Sequence, residues 1–434
     1  MLQPIHALPW LNPARPQAAS GRSEAPDDPV DRVAPPVLML PAPSRSNAVH
    51  SLLNQQEDLA RTAALPALFG TSGLLFADSY GKISHLALQF GNVEFDRPLP
   101  EETRRALLGM YATLMKAMAP DSQFTVVCAN REGVEAIGEL VQQVGIDPAR
   151  VTVVDARTER GMSIWIRDSM LPVRLPDGTT LLMIQDRTYW PGPEDSRVPA
   201  LIDEADDRIA SQPHPALRID GGNVLSNQHQ IFVGKDSVEH TRARLQELAA
   251  DPQRFQEIKH FFQAWTGLEV VEGDPAHDYE VGLSDMWRDL PVLVFEKAFQ
   301  KDVLVLGEDD PNTPIREEQP AFHIDMAVTP IGENKVLVGD PGMAIEVFRG
   351  LGSEERARVN AEMAAQAGLD PSHDLIGKLM EVNGTPEAQA NYDNVARQLG
   401  AAGYEVERIP SMIGLRTTWS LPYLTYNNCM QDVY

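Results

Sequence analysis

Apolar and polar positions between residues 84 and 160 follow two alternating periods, which predicts strands that alternate with helices. The stretches PEETRRALLGMYATLMKAM (100–118) and REGVEAIGELVQQVG (131–145) show the pattern of amphipathic helices. The short apolar runs QFTVVCA (123–129) and RVTVVDA (150–156) are rich in β-branched residues, as strands are. This alternation predicts the α/β class.

The flanking segments differ in character. Residues 1–48 are rich in Pro, Ala, Ser and charge without periodicity, which predicts a disordered leader. Residues 49–83 read as a linker with a short helix over Ser51–Ala64 and a loop in FGTSGLLFADSYG, and residues 84–434 as one domain. Within that domain, VEHTRARLQELAADPQRFQEIKHFFQAW (238–265) is predicted as one helix.

An internal repeat gives the strongest clue to the architecture. RIDGGNVLSNQHQIFVGK (218–235) aligns without a gap with HIDMAVTPIGENKVLVGD (323–340), so that Asp220 falls on Asp325. Each segment reads as a strand, a polar turn, an apolar strand and then helix-rich sequence. A third copy, WIRDSMLPVRLPDGTTLLMI, carries Asp168 at the matching place, and a fourth, YLTYNNCMQDVY, carries Asn427.

Four copies of one hairpin-plus-helix unit predict a cyclic array in which equivalent strand starts converge on an axis. Asp168, Asp220, His323 and Asp325 would then meet in one pocket. The polar loop EDDPNTPIREEQP (308–320) directly precedes the His-x-Asp strand, either as a solvated connection or as a lid over the pocket.

Charge and cysteine content exclude several classes of function. The chain has 434 residues with 37 Lys plus Arg against 62 Asp plus Glu, a formal net charge of -25. That balance repels nucleic acid and anionic membranes and suits a cationic substrate. Two cysteines, Cys128 and Cys429, rule out a disulfide framework, and Cys128 lies in an apolar strand as a small buried hydrophobe.

The sequence carries no apolar run near the ~18 residues of a membrane span and no Sec-type signal. We therefore expect a cytoplasmic protein, with non-Sec export through the leader left open. The expected partner is a small-molecule or peptide substrate, not nucleic acid or a membrane, and homo-oligomers are left open.

Three carboxylates and a histidine allow two kinds of chemistry. Hard cations favour such oxygen ligands, but His-x-Asp alone is a weak metal signal and no second histidine stands at ligand spacing. The alternative is a planar guanidinium, which carboxylates bind bidentately. His323 would then act as general acid/base, with its charge set by Asp325 or Asp220.

In that order, WIRDSMLPV, RIDGGNVL and FHIDMAV resemble three motifs of the guanidino-group modifying enzymes. This family includes agmatine deiminase, arginine deiminase, peptidylarginine deiminase, dimethylarginine dimethylaminohydrolase and the amidinotransferases. The resemblance covers roughly residues 84–434. It implies the pentein fold, an α/β-propeller of five strand-hairpin-plus-helix blades, and a reaction that needs no metal and no cofactor.

The same resemblance implies roles for individual residues. Asp168 and Asp325 match the two carboxylates that bind the guanidinium, and His323 matches the general acid/base. Asp220 matches the acidic residue before Gly-Gly, which is Glu in several members, so the shorter Asp departs from the pattern.

Three further positions carry over as substrate-binding residues. Trp165 and Arg167 would shape the pocket, and Asn223 stands where Asp or Ser is found in relatives.

The nucleophile is the residue that the motif match leaves open. In the family a cysteine in the fifth blade attacks the guanidinium carbon, ammonia leaves, and water hydrolyses the thiouronium intermediate. This chain stops at Tyr434, in mid-hairpin by the repeat, so the propeller is expected to be incomplete at its C-terminus. Cys429 shares the face of Asn427 and is either a displaced nucleophile or a strand cysteine that faces a core.

These observations predict hydrolytic deimination of a guanidino group to a ureido group. The substrate is arginine, agmatine, a methylarginine or a protein arginine. Two alternatives stay open: amidino transfer to an amine, and an inactive or truncated relative that only binds guanidinium ligands.

Overall fold

The computed structural model describes residues 67–412 apart from residues 80, 95–96, 185–193, 367–369 and 371. These residues all belong to one compact unit, Leu59–Tyr434. The helix expected over Ser51–Ala64, the fourth repeat copy with Asn427, and Cys429 lie outside the described residues.

Short strands alternate with helices along the described chain, so the predicted mixed α/β class is confirmed. The strands are β1 Leu74–Leu75, β2 His85–Phe90, β3 Val93–Glu94, β4 Arg97–Pro98, β5 Gln123–Cys128, β6 Val151–Asp155, β7 Met170–Arg174, β8 Thr180–Ile184, β9 Ile209–Pro213, β10 Val224–Ser226, β11 Gln230–Gly234, β12 Glu269–Val271, β13 Glu280–Gly282, β14 Asp302–Leu306, β15 Val328–Pro330, β16 Lys335–Asp340 and β17 Glu405–Pro410. The helices are α1 Glu101–Ala117, α2 Arg131–Val144, α3 Val198–Ala205, α4 Lys235–Leu248, α5 Pro252–Thr266, α6 Leu283–Phe299, α7 Pro341–Gly350, α8 Ser353–Gln366, α9 Leu375–Asn383 and α10 Pro386–Ala401. No helix among the described residues combines the length and the hydropathy needed to cross a membrane.

Three sheets share one topology, which matches the three repeat copies within the described residues. Their strand orders are β7-β8-β9, β10-β11-β14 and β15-β16-β17. In each, the first two strands form an antiparallel hairpin and the third runs parallel to the second. The parallel strand is reached through one or more helices, as a parallel connection requires. Strand β1 extends the first of these sheets by pairing antiparallel with β7.

The repeat is not gap-free in three dimensions, which corrects the alignment. Val224 pairs with Val233 in the β10–β11 hairpin, whereas Val328 pairs with Val338 in the β15–β16 hairpin. An ungapped repeat would place Thr329 opposite Val338. The turn after β15 is therefore one residue longer than the turn after β10, and Asp220 and Asp325 are not equivalent in register.

The N-terminal sheet β2-β5-β6 is parallel throughout, with α1 and α2 as its crossovers. All four elements predicted between residues 100 and 156 are confirmed. Helix α2 begins where the Asn130 side chain accepts a hydrogen bond from Gly133 N, and it ends at Gly145 in the left-handed conformation. The central strand β5 is buried from Phe124 to Cys128, as expected of a parallel strand covered on both faces.

The prediction of one helix over residues 238–265 is wrong, because the segment forms two helices. Helix α4 ends at Leu248, and α5 begins at Pro252 with Asp251 as its N-cap. The Asp251 carboxylate accepts hydrogen bonds from Gln253 N and Arg254 N. Proline at the first helical position, preceded by an Asp cap, starts a new helix instead of continuing the old one.

Aromatic side chains join residues 67–75 to helices α5 and α6. Phe69 is fully buried and stacks on Phe261 of α5 with ring centroids 3.9 Å apart. Phe295 and Phe299 of α6 belong to the same hydrophobic cluster as Leu75 of β1. Part of the segment expected to be a linker thus packs into the main core.

Candidate active site

Three short 3₁₀ turns hold the predicted site residues. They span Ile166–Ser169, Gly221–Asn223 and Ile324–Met326, and each directly precedes the hairpin of one sheet. The second turn contacts both of the others. The acidic residues therefore lie in or just before these turns and not at the first residue of a strand, which corrects the expected location.

The structure brings the histidine and the three carboxylates together. His323 Nδ1 lies 3.9 Å from Asp168 Oδ1, and His323 Nε2 lies 3.6 Å from Asp220 Oδ2. Asp325, two residues along, is buried with 6% of its surface exposed. The side chain of Phe322 covers His323, with ring centroids 4.5 Å apart. One imidazole therefore stands among three acidic groups that lie in or just before three separate 3₁₀ turns.

The electrostatics of this group follow from burial and mutual charge. Burial disfavours the charged imidazole, but Asp168, a hydrogen bond with Asp220 and the charge of Asp325 outweigh it and raise the pKa of His323 to about 9. Burial raises the pKa of Asp325 to about 6, although His323 and Arg167 act against it. Near neutral pH the site thus holds an imidazolium and an excess of acidic groups.

One carboxylate oxygen in the site would be stabilised by a ligand. Asp325 Oδ1 is buried and has no hydrogen-bond partner among the described residues. A buried carboxylate oxygen without a donor is costly, so a donor or a cation brought by a ligand would be bound favourably. A guanidinium supplies both, with five N–H donors and a positive charge.

Gly221 and Gly222 leave no room for a side chain, because atoms of other residues approach their backbone closely. A Cβ on Gly222 would stand 2.5 Å from His323 Nδ1 and 2.9 Å from Asp325 Oδ2. A Cβ on Gly221 would overlap the carbonyl oxygen of Arg167. Only glycine lets the second 3₁₀ turn fit between the other two.

The guanidinium of Arg167 forms its hydrogen bonds with protein groups. Its terminal nitrogens donate to both carboxylate oxygens of Asp78, while Nε donates to Gly221 O at 2.9 Å and Nη2 donates to Val224 O at 2.6 Å. The guanidinium thus joins the first 3₁₀ turn to the second turn and to Asp78. Asp78 lies in the predicted loop and was missed, because a single acid in FADSYG carries no motif.

Asn223, which is expected to bind substrate, bonds to the segment that carries His323 and Asp325. Its side chain is 2% exposed. The amide oxygen accepts from Ile324 N at 3.1 Å and from Gln319 Nε2 at 3.0 Å, and Nδ2 donates to Ser237 Oγ at 3.0 Å. These bonds hold the turn that carries Asp325.

Trp165 directly precedes the first 3₁₀ turn, three residues before Asp168. The residue is 47% exposed, and its backbone N–H donates to Ser163 Oγ at 3.1 Å. Its expected part in substrate binding stays a prediction.

The loop 308–320 is held against helix α10. The buried Glu317 carboxylate pairs with Arg397, and Glu318 N donates to Asn391 Oδ1 at 2.8 Å. Both partners lie on α10. These contacts favour a structural connection over a lid.

The described residues offer no accessible thiol. Cys128 is fully buried in the β2-β5-β6 core, and burial together with Asp155 raises the pKa of its thiol to about 12. It is a core residue, as predicted, while Cys429 lies outside the described residues. Within the part of the chain that the structure describes, no group of three His, Cys, Asp or Glu side chains is arranged to hold a metal ion.

No family model and no curated protein matches the chain. Among solved structures it resembles deiminases that act on agmatine. One is the C. jejuni agmatine deiminase, with 10% sequence identity, a TM-score of 0.45, and coverage of 82% of this chain and 79% of that chain. Another is a cysteine-to-serine variant of that enzyme with substrate bound, with 11% identity, a TM-score of 0.43 and the same coverage, 82% and 79%. These are similarities to those proteins, and the chemistry of this chain follows from its own residues.

Proposed function

We propose that this site binds a guanidinium group and hydrolyses it to a ureido group. The observation that carries the proposal is the buried, unpartnered Asp325 Oδ1 beside an imidazole that Asp168 and Asp220 flank. The acidic excess matches a planar cation, because carboxylates on different sides of it can each accept N–H donors. The substrate is a free guanidino compound, such as arginine or agmatine, or an arginine of a peptide.

The proposed reaction uses His323 together with a thiolate. A thiolate attacks the guanidinium carbon, and protonated His323 donates a proton to the departing ammonia. Water then adds to the thiouronium carbon, with neutral His323 accepting its proton, and the C–S bond breaks to give the ureido product. The sum is guanidinium plus water to ureido compound plus ammonium, and Cys429 is the thiol assigned to this step.

A colorimetric assay for ureido product tests the proposal. Arginine, agmatine and an arginine peptide are offered to the wild type and to His323→Ala, Asp168→Ala and Cys429→Ala. We expect product from the wild type and a loss of at least about 100-fold in each variant. Cys128→Ala is the matched control, since its thiol is buried in the core, and it should retain activity.

The assay also separates hydrolysis from amidino transfer. With glycine added as an amine acceptor, a transferase forms an amidino-glycine in place of ureido product, and mass spectrometry identifies it. Product formation that needs the acceptor would overturn hydrolysis. Activity unaffected by Cys429→Ala would overturn its assignment as nucleophile.

The second candidate function is binding without turnover, which the inaccessible Cys128 thiol favours. In that case calorimetry detects binding of arginine or agmatine, no ureido product forms, and Asp168→Ala abolishes the binding. Wild-type protein that neither binds nor converts any of the three substrates would overturn both functions.

We also propose that the sheets are successive blades of a propeller around this site. The shared ββαβ topology of three sheets and the meeting of their 3₁₀ turns support this arrangement. A crystal structure of the protein tests it by the positions of the sheets. Sheets that do not surround a common axis would contradict the ring.

A further inference from the structure

The loop FGTSGLLFADSYG contacts all three repeated units. Leu74–Leu75 pairs with β7 of the first unit. Asp78 N donates to Ser226 O at 2.7 Å in the second unit. Ser79 Oγ donates to Gly332 O at 3.3 Å in the third. A segment outside the repeats thus contacts the hairpins of all three units.

Asp78 is the charged residue of this segment, and its carboxylate has several donors. Both terminal nitrogens of Arg167 donate to it, Nη2 at 3.0 Å from Oδ2. Ser226 N donates to Oδ2 at 2.8 Å. The Asp78 side chain is 10% exposed. A bidentate, largely buried pair of this kind fixes the orientation of the guanidinium.

Through Arg167 the pair reaches two site segments at once. Arg167 precedes Asp168 in the first 3₁₀ turn. Its bonds to Gly221 O and Val224 O hold the second turn, which includes the tightly fitted Gly222. A shift of this guanidinium would move both segments.

The pair also balances charge beside the site. The Arg167 charge acts on Asp168 and Asp325. Lys301 lies near the pair, because its Nζ donates to Ser226 Oγ and Asn227 O, each at 2.6 Å; burial lowers the pKa of Lys301 to about 8, and Asp78 acts against this shift. Without Asp78, the Arg167 charge that acts on Asp168 and Asp325 would lose its carboxylate partner.

We infer that Asp78 is a positioning residue of the proposed guanidino site, which acts through Arg167 on Asp168 and on the Gly221–Gly222 turn. The kinetic effect that this inference predicts rests on the proposed function. The expected electrostatic effect does not, because it is measured without any substrate.

The experiment compares Asp78→Asn with a matched control, Asp206→Asn. Asp206 also holds an arginine by two bonds, from Arg208 Nε and Nη2, but it directly follows α3, outside the three 3₁₀ turns, and Arg208 is 73% exposed. Nuclear magnetic resonance of ¹³C-labelled histidine follows the titration of His323 in the absence of ligand, with His323→Ala to assign the signal. We expect the pKa of His323 to fall in Asp78→Asn, because Arg167 loses its compensating charge, to change less in Asp78→Glu, and to stay constant in Asp206→Asn.

Kinetics with arginine and agmatine give the second measurement. We expect kcat/KM to fall about 100-fold in Asp78→Asn and to be unchanged in Asp206→Asn. An unshifted His323 titration in a folded Asp78→Asn protein would overturn the inference. A shifted titration in a protein that neither binds nor converts these substrates would instead overturn the proposed function and leave the positioning role supported.

Discussion

At the residue scale, burial of the Asp325 carboxyl makes its ionisation costly to the folded state. Burial raises the pKa of its carboxyl from 3.8 to about 6, against the pull of His323 and Arg167. The folded state then binds the proton more tightly than the unfolded chain does, so ionisation of Asp325 favours unfolding. A bound guanidinium would reverse this cost by pairing with the carboxylate.

Replacing Asp325 by Asn should remove a specific part of the pH dependence of stability. The contribution of the carboxyl is fully present below its ordinary pKa of 3.8 and is lost as pH rises through about 6. The change amounts to roughly 3 kcal/mol at most. Melting temperatures of the wild type and Asp325→Asn, measured from about pH 4 to about pH 7, should therefore shift in favour of the variant as pH rises. The exposed Asp274→Asn serves as control, and a parallel response of wild type and Asp325→Asn would contradict the prediction.

Gly222 offers a second test at a single residue. We expect Gly222→Ala to lower kcat/KM about 100-fold, because its methyl group would displace His323 and Asp325. Gly138→Ala in α2 is the matched control, since a Cβ there meets no atom within 4 Å. That change should stabilise the fold by about 0.5–1 kcal/mol and leave kinetics unchanged. If Gly222→Ala kept the kinetics of the wild type, the added methyl group would not displace His323 and Asp325, and the prediction would be wrong.

At the scale of elements, the sequence predicted the hairpins but not the turns that precede them. Alternating apolar residues and the PDG turn signal indicated the strands. A 3₁₀ turn of three or four residues has no periodic pattern, so the acids were expected at strand starts. Their positions depend instead on distant partners, such as the bond from Ile324 N to Asn223 Oδ1.

Asn223→Ala tests how much the turn depends on that bond. We expect a loss of about 1–3 kcal/mol in stability, because Ile324 N is left buried without its acceptor, together with weaker binding of arginine or agmatine. Asn360→Ala is a close structural control, because its Oδ1 also accepts a helix-starting backbone N–H, Ile376 N, at 3.1 Å. Chemical denaturation and calorimetry should show both variants destabilised but only Asn223→Ala impaired in binding. Equal binding by the two would contradict a role for Asn223 in placing Asp325.

At the scale of the whole molecule, local sequence patterns predicted the α/β class and the repeat, but they did not predict the long-range contacts. The α/β alternation and three repeat units are visible in the sequence because each unit is continuous along the chain. The role of Asp78 is not visible in the sequence, because its partner Arg167 is far away in sequence and the loop that carries Asp78 has no motif. The break before Pro252 was a missed local signal, since an Asp cap and proline mark a helix start.

The net charge of -25 makes a prediction that belongs to the molecule as a whole. A field of this sign attracts a cationic guanidino substrate, and salt screens it over a Debye length of about 8–10 Å near physiological ionic strength. We expect kcat/KM for agmatine, which also carries an amine, to fall more steeply with sodium chloride than kcat/KM for zwitterionic arginine. The site carboxylates remain largely buried and are screened less, so kcat should change little. Steady-state kinetics across a salt series measures this, and identical salt responses for the two substrates would show that the overall charge plays no part in substrate capture.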